Sequence, residues 1–249
     1  MSFFVPHSTI RRLGFIALLF LVMSAIAEAA DESAAPRLNS APAGDFAAAA
    51  REITGGPWTM GQAWRSTPEN ELRPGTVRFG WTSDDLWILA DLTDKHVASR
   101  STGHNQDMWT LGDVFEIFIA RRGSPRYLEL HVTPNNHRLH LRWTRRDFDK
   151  VRNNQKKVSD FRDDPNAFES WVRRGPDGSG WQALARIPAT IFPGGKAFRT
   201  RQRFAFSFSR YDAGSEEETP KILSSTSPHR KLSYHRRHEW RTVVLTPAR

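Results

Sequence analysis

The 249-residue sequence contains no cysteine. That excludes disulfides, thiolate-bound metals and a lipidated cysteine anchor. Stability has to come from the core, which a chain of this length can bury. Only 4 methionines are present, so thioether ligands for a haem iron are scarce. The chain has no G-x-S-x-G nucleophile elbow and no recognisable triad order, which leaves nucleophilic catalysis without a motif. Internal repeats are lacking, and beyond the N-terminus no apolar run is long enough to span a bilayer.

What is present is aromatic and basic. The 9 tryptophans each bury a large area yet keep an N–H that needs a partner. The formal net charge is +9, but the basic residues are interspersed with Asp and Glu along most of the chain. That pattern reads as solubility and loose attraction to acidic surroundings such as anionic glycans, rather than as a dedicated polyanion or nucleic-acid site.

The N-terminus has the build of a secretory signal peptide over residues 1–29. Arg11 and Arg12 give a basic start, residues 13–23 are apolar and uncharged, and Ala25, Ala27 and Ala29 fit a small-residue cleavage site. The expected location is periplasmic or secreted, and a cysteine-free exported chain fits a bacterial periplasm. Residues 30–45, rich in Ala and Pro, read as a linker. Without the signal, roughly 220 residues remain, the size of one large all-β domain or two small ones.

Asp45 is a good cap for one short helix over residues 46–53. From Thr76 onward the period is two. Val77, Phe79 and Trp81 alternate with polar or small residues, Thr82 to Asp85 turns the chain, and Leu86, Ile88, Ala90 and Leu92 return. Phe115, Ile117 and Ile119 share a face opposite Glu116; Leu128, Leu130 and Val132 share one opposite Glu129 and His131. Further strands are expected around Leu139 to Trp143, Ala167 to Arg173, Trp181 to Ile187, Arg203 to Tyr211 and Trp240 to Leu245, with residues 145–165 as a polar excursion. Eight or more short strands with one apolar face each predict an all-β fold, an antiparallel two-sheet β-sandwich of jelly-roll or Ig-like type, over residues 46–249.

Several phrases, in order, resemble those of a known family. Val77-Arg78-Phe79-Gly80-Trp81 with Leu86 to Asp94 resembles its opening hairpin, Gly112-Asp113-Val114-Phe115-Glu116-Ile117-Phe118 its central D-x-x-E-x-F strand, and Tyr127 to Pro134 the strand that follows. Gly180 to Pro188 and Phe204 to Tyr211 resemble its later part. Together they are similar to the family 9 carbohydrate-binding modules and the related DOMON-like β-sandwiches. The resemblance implies a sugar-binding sandwich, in some members with calcium and in some DOMON relatives with haem. The chain departs from the pattern at Leu184, where a carboxylate is usual, at Ala189, where an aromatic is usual, and in its opening, which only Gly55-Gly56-Pro57-Trp58 represents.

Sugar binding needs an aromatic plane and polar groups around the hydroxyls. Trp109, in a polar segment, is the leading plane and Trp87 the second; Glu116, Glu129, His131 and Arg210 are the candidate polar partners. Read as an enzyme, Glu116 and Glu129 would be the acid and base of a glycosidase. Asp91, Asp94 and Asp113 are candidate calcium ligands through the resemblance alone. A haem reading would use Met108 with His104 or His131. The His137/His140 pair, three apart on a strand, faces opposite sides, and the tail histidines lie among Arg and Lys residues that discourage a divalent cation. An envelope protein partner is the expectation if the sandwich serves as a scaffold.

Overall fold

A computed structural model of the protein describes residues 32–214 and 221–248; the signal-peptide reading falls on residues outside these. The period-two segments form two sheets. One has the order β1 (Glu32–Pro36), β12 (Arg241–Thr246), β10 (Arg203–Asp212), β5 (Val114–Arg121), β6 (Arg126–Val132), β7 (Arg138–Thr144). The short β11 (Ile222–Ser225) pairs with β10 on the same edge as β12. The other sheet has the order β2 (Gly55–Thr59), β3 (Gly75–Trp81), β4 (Asp85–Thr93), β9 (Gly180–Pro188), β8 (Glu169–Arg174). The pairings among β2 to β12 are antiparallel.

The sheets face each other across one apolar layer. Phe115, Ile117 and Ile119 of β5, Leu128, Leu130 and Val132 of β6, and Phe204, Phe206 and Phe208 of β10 meet Phe79, Ile88, Ala183 and Ala185 from the opposite sheet. Each fully buried large side chain contributes about 1.5–3 kcal/mol. The β3–β4 hairpin turns where expected: Thr82 Oγ1 accepts from the Asp85 N–H at 3.1 Å, fixing the register that pairs Trp81 with Leu86. Gly112, at φ +133, enters β5 where a Cβ would stand 2.5 Å from the Ala98 carbonyl oxygen.

Both outer faces are also covered, by helices that the polar linkers supply. Helix α1 (Phe46–Glu52) starts at Asp45, whose carboxylate accepts from Ala47 N at 2.8 Å. Its Ala49, with Ile53 beyond its end, packs on Trp87, Leu89 and Leu184 of the five-stranded sheet. Helix α2 (Arg145–Arg152) starts at a Thr144–Asp147 capping box, and its Phe148 and Val151 pack on the outer side of the seven-stranded sheet, beside Leu141 and Trp143.

Two expectations are corrected. Part of the 30–45 linker is an edge strand, because alanines are small enough for close packing and Ala35 enters the core. The polar 145–165 excursion contains α2, whose caps and polar face carried no period-two signal. β2 and β11 were not foreseen: β2 holds Gly and Pro in an irregular register against β3, and β11 is only 4 residues long. Among the described residues no helix is long and apolar enough to cross a membrane.

Candidate functional site

The outer face of the seven-stranded sheet carries the site. Alternation puts Glu116 on the opposite side of β5 from Phe115 and Ile117, and the register pairs Glu116 with His131 on β6 and Ser209 on β10. Glu129 and His131, two apart on β6, share that face. The three side chains meet: His131 Nε2 lies 2.8 Å from Glu129 Oε1 and 3.3 Å from Glu116 Oε1. All three are buried.

Their protonation follows from what surrounds each. Burial, with the Glu129 charge added to it, pushes Glu116 up to about 8, against the pull of His131 and Lys221. Burial also works against the charge of Glu129, but His235, His131 and the Trp143 N–H together hold it below the usual carboxylate range. Trp143 Nε1 donates to Glu129 Oε2 at 2.6 Å. Burial opposes the charge of His131 too, and the two glutamates more than offset it, so its pKa is raised. Near neutral pH Glu116 thus keeps its proton, while Glu129 is the carboxylate that the His131 ring faces. Glu129 is saturated by its partners, whereas Glu116 has no hydrogen bond to any described residue; only its ion-pair contact with His131 touches it.

A pocket of about 390 Å³ opens on this floor. Glu116 and Glu129 line it together with Trp109, Trp143, Tyr211 and Tyr234, and the Leu232–His235 segment closes one side. Trp109 sits in the one-turn 3-10 helix Met108–Thr110, half-buried, its ring edge-on to His131 at 5.8 Å. Its backbone carbonyl accepts from Lys221 Nζ at 2.7 Å, and the preceding Asp107 is paired with Arg162 at 2.6 Å, so the turn is tied at both ends. His235 stacks on Phe148 at 3.6 Å. Burial lowers its pKa to about 4, leaving a neutral ring that shares a 2.9 Å hydrogen bond with the Tyr127 hydroxyl.

The structure thus brings together four of the six candidate binding residues: Trp109, Glu116, Glu129 and His131. It places the other two elsewhere. Trp87 is 1% exposed on the outer face of the other sheet, stacked on Trp171 at 6.1 Å and 12° beneath α1. Its polar-face position in the strand gave no hint that a helix would lie over it. Arg210 faces the opposite side of β10 from Ser209 and Tyr211 and is fully buried. It donates to Thr93 O at 2.6 Å and Asp94 Oδ2 at 2.7 Å, and lies 3.1 Å from Asp212 Oδ2. Sequence reasoning missed Trp143, Tyr211, Tyr234 and His235. The β6–β7 register, which pairs Tyr127 with Trp143 and Glu129 with Leu141, is the signal that could have found Trp143.

Two groups among the described residues bring three metal-capable ligand atoms within 4.8 Å of one another: Glu116, Glu129 and His131, and Asp94, Asp113 and Asp212. The second contains two of the three calcium candidates; the third, Asp91, is exposed and accepts from Gln182 at 3.2 Å. Calcium takes six to eight oxygens, and this set does not fit it. Both Asp113 oxygens already accept backbone N–H groups, from Ala98 and Ala213 at 2.7 Å each, and the Arg210 guanidinium stands between Asp94 and Asp212 as the cation. The first set, with its nitrogen donor, suits a transition metal better than calcium, but its nitrogen already bridges two carboxylates. That ring also fills the gap between Glu116 and Glu129 in which a glycosidase would need its scissile bond. The haem candidates do not converge on a free ligand: Met108 is fully buried, His131 is held by the glutamates, and His104 Nδ1 accepts from Arg138 N at 2.9 Å.

The fold and site together define a two-sheet β-sandwich with one aromatic-walled, acid-floored pocket on the outside of its larger sheet. Proteins of this shape are known. A candidate carbohydrate-binding protein from Bacteroides uniformis superposes with a TM-score of 0.65, covering 86% of this chain and 99% of its own, at 12% identity. A family 9 carbohydrate-binding module from Caldicellulosiruptor kristjanssonii, solved with cellotriose, superposes at 0.55 over 88% of this chain and 95% of its own, at 13% identity. The same organism's family 9 module with glucose gives 0.56, 88%, 97% and 12%. No protein-family model and no curated protein matches the sequence. At this identity the likeness establishes the fold.

Proposed function

We propose that this chain is an exported, non-catalytic carbohydrate-binding protein of the bacterial envelope, holding a sugar in the pocket lined by Trp109, Trp143 and Tyr211 over the Glu116–His131–Glu129 floor. The observation that carries the reading is Glu116. It is buried, protonated at neutral pH, turned into the pocket and without a hydrogen-bond partner among the described residues. Facing the pocket, that carboxyl is free to exchange a hydrogen bond to water for one to a ligand. A carboxylic acid both donates and accepts, which suits a sugar hydroxyl that does the same, and the half-buried Trp109 ring offers a flat apolar plane for the C–H face of a pyranose. The family 9 modules of the same fold are complexes with cellotriose and glucose, which supports a sugar as the ligand. The signal-like N-terminus supports export. No metal is part of this reading.

The test is a titration of intrinsic tryptophan fluorescence and, in parallel, calorimetry, against a panel of neutral mono- and oligosaccharides. Binding by at least one of them that disappears in Trp109→Ala is the expected result. Silence across the whole panel would sink the proposal.

A further inference from the structure

We infer that the pocket continues into a basic groove built to hold acidic residues of a polysaccharide, so that the natural ligand is a uronate-bearing glycan. This inference rests on the sugar-binding reading and names its substrate class. The +9 charge looks dispersed in the sequence, but folding gathers part of it. A groove of about 1200 Å³ runs between α2 and the 231–238 segment. Arg145, Arg146 and Arg152 of α2 and Lys231 opposite line it, all exposed and none with an ion-pair or hydrogen-bond partner among the described residues. Arg237 and Arg236, the latter paired with Glu239, bring the wall to six cations, and among the described residues Asp149 is the only carboxylate lining it.

Two features indicate that these charges are there for a ligand. Arg145 and Arg146 occupy the first turn of α2, where the helix dipole disfavours cations; helix stability would place acids there, as the capping Asp147 does. The groove also does not end blindly. Phe148, Leu232, Ser233 and His235 line both it and the acid-floored pocket, and Leu232, at 54%, is the exposed large hydrophobic residue at their junction. A chain whose one sugar sits over Glu116 would lay its neighbours across Leu232 into the groove. Guanidinium groups bind carboxylates through paired N–H bonds, and a C6 carboxylate places one such group on each uronate ring. A surface meant for any polyanion would have no reason to open onto a pocket floored by a neutral acid.

The experiment compares a matched pair by calorimetry on the full folded chain. One ligand is the neutral oligosaccharide bound best in the panel above; the other is the same oligosaccharide with C6 carboxylates on its outer residues. The acidic form is expected to bind at least about tenfold tighter at 50 mM salt, with that advantage shrinking at 300 mM. The R145Q/R146Q/R152Q variant, checked for unchanged thermal unfolding, should bind the neutral form as before and lose the preference. A neutral ligand that binds while the acidic form gains nothing, or a preference that survives in the variant, overturns this inference and leaves the sugar-binding reading intact. Inorganic polyphosphate displacing the acidic oligosaccharide at equal charge also overturns it, in favour of a generic polyanion surface. If neither sugar binds, both readings fall.

Discussion

Two buried charge clusters lie on either side of the seven-stranded sheet, and the contrast between them separates structure from function. Asp113 and Glu116 are three residues apart at the start of β5, so they face opposite sides. Asp113 joins Asp94, Asp212 and Arg210; Glu116 joins His131 and Glu129. Both clusters hold more carboxylates than cations, and burial pushes acids up in both: Asp113 to about 7 together with Asp212 in one, Glu116 to about 8 in the other. They differ in access. The arginine cluster opens on no cavity described above; Asp94 and Asp113 accept from the guanidinium and from backbone N–H groups, while Asp212 Oδ2 has, among the described residues, only its 3.1 Å ion pair with Arg210. The histidine cluster floors a pocket, into which Glu116 is turned without a hydrogen bond to any described residue. A perturbed, buried acid is thus not by itself the mark of a site. A perturbed acid that faces a pocket with its bonding capacity unspent is the better indicator.

The largest effect should come from the arginine cluster. Arg210→Met leaves Asp94 and Asp212 buried without their cation, which costs about 3–5 kcal/mol and lowers the unfolding midpoint by roughly 10 °C. Adding Asp94→Asn should recover part of that loss, because the penalty is charge and not volume. An Arg210→Met protein that melts like the parent would show that the cluster is not structural, and would return Arg210 to the list of binding residues.

Trp109→Ala should produce the mirror image. Stacking residues at the centre of a binding patch are worth about 2 kcal/mol, roughly 30-fold in affinity. The ring is half-buried, so the midpoint should move by no more than about 2 °C. A large drop in stability with affinity unchanged would invert the comparison.

Much of this contrast was legible in the sequence, and the part that was not has a physical cause. Alternation put Glu116, Glu129 and His131 on one face, and strand order made them neighbours. Arg210 was misjudged because the end of a strand can face either the solvent or the gap between sheets, and only the partner supplied by the β4 end, Asp94, decides which. Trp87 was offered as a plane because its strand position is polar-facing; α1, formed from residues far away in the chain, covers it. The basic groove was invisible because its two walls are about 80 residues apart in the sequence, and no local period joins α2 to the segment around Lys231.

The pH dependence tests the histidine cluster more gently. Folded Glu116 keeps its proton up to about pH 8, whereas the unfolded chain releases it near 4.5, so in that window the folded state binds the extra proton and stability falls as pH rises. His131, raised in the folded state, acts in the same direction: its contribution is complete below its unfolded pKa and is lost as pH rises through the folded one. Glu129, lowered, contributes above its unfolded pKa and loses that contribution as pH falls. His235, lowered to about 4 in the folded state, works the other way up to about pH 6.5, so it is between pH 6.5 and 8.5 that the parent should lose stability, by roughly 5 °C in midpoint. Glu116→Gln, which has no proton to lose and weakens the hold on the His131 proton, should flatten that slope. Differential scanning calorimetry at four or five pH values decides it; a variant as steep as the parent would mean that Glu116 is already ionised.

The smallest expected effect is none, and it bears on the arginine cluster again. A chain of this fold with three aspartates converging is where calcium would be sought. Here Arg210 occupies the cationic position, both Asp113 oxygens accept from the backbone, and Asp94 and Asp212 each spend one oxygen on a backbone N–H, from His96 at 3.0 Å and Gly214 at 3.3 Å. Calcium would have to expel a buried guanidinium and break those bonds before gaining its own six or more ligands, and a ligand that binds the native state weakly adds little stability. Millimolar calcium or excess EDTA should accordingly move the midpoint by less than about 1 °C. The Arg210→Met protein should differ, because its carboxylates have lost their counter-ion, and calcium should restore part of its midpoint. A parent protein stabilised by several degrees on adding calcium would show that the guanidinium yields to the ion, and that the sealed cluster is itself a site.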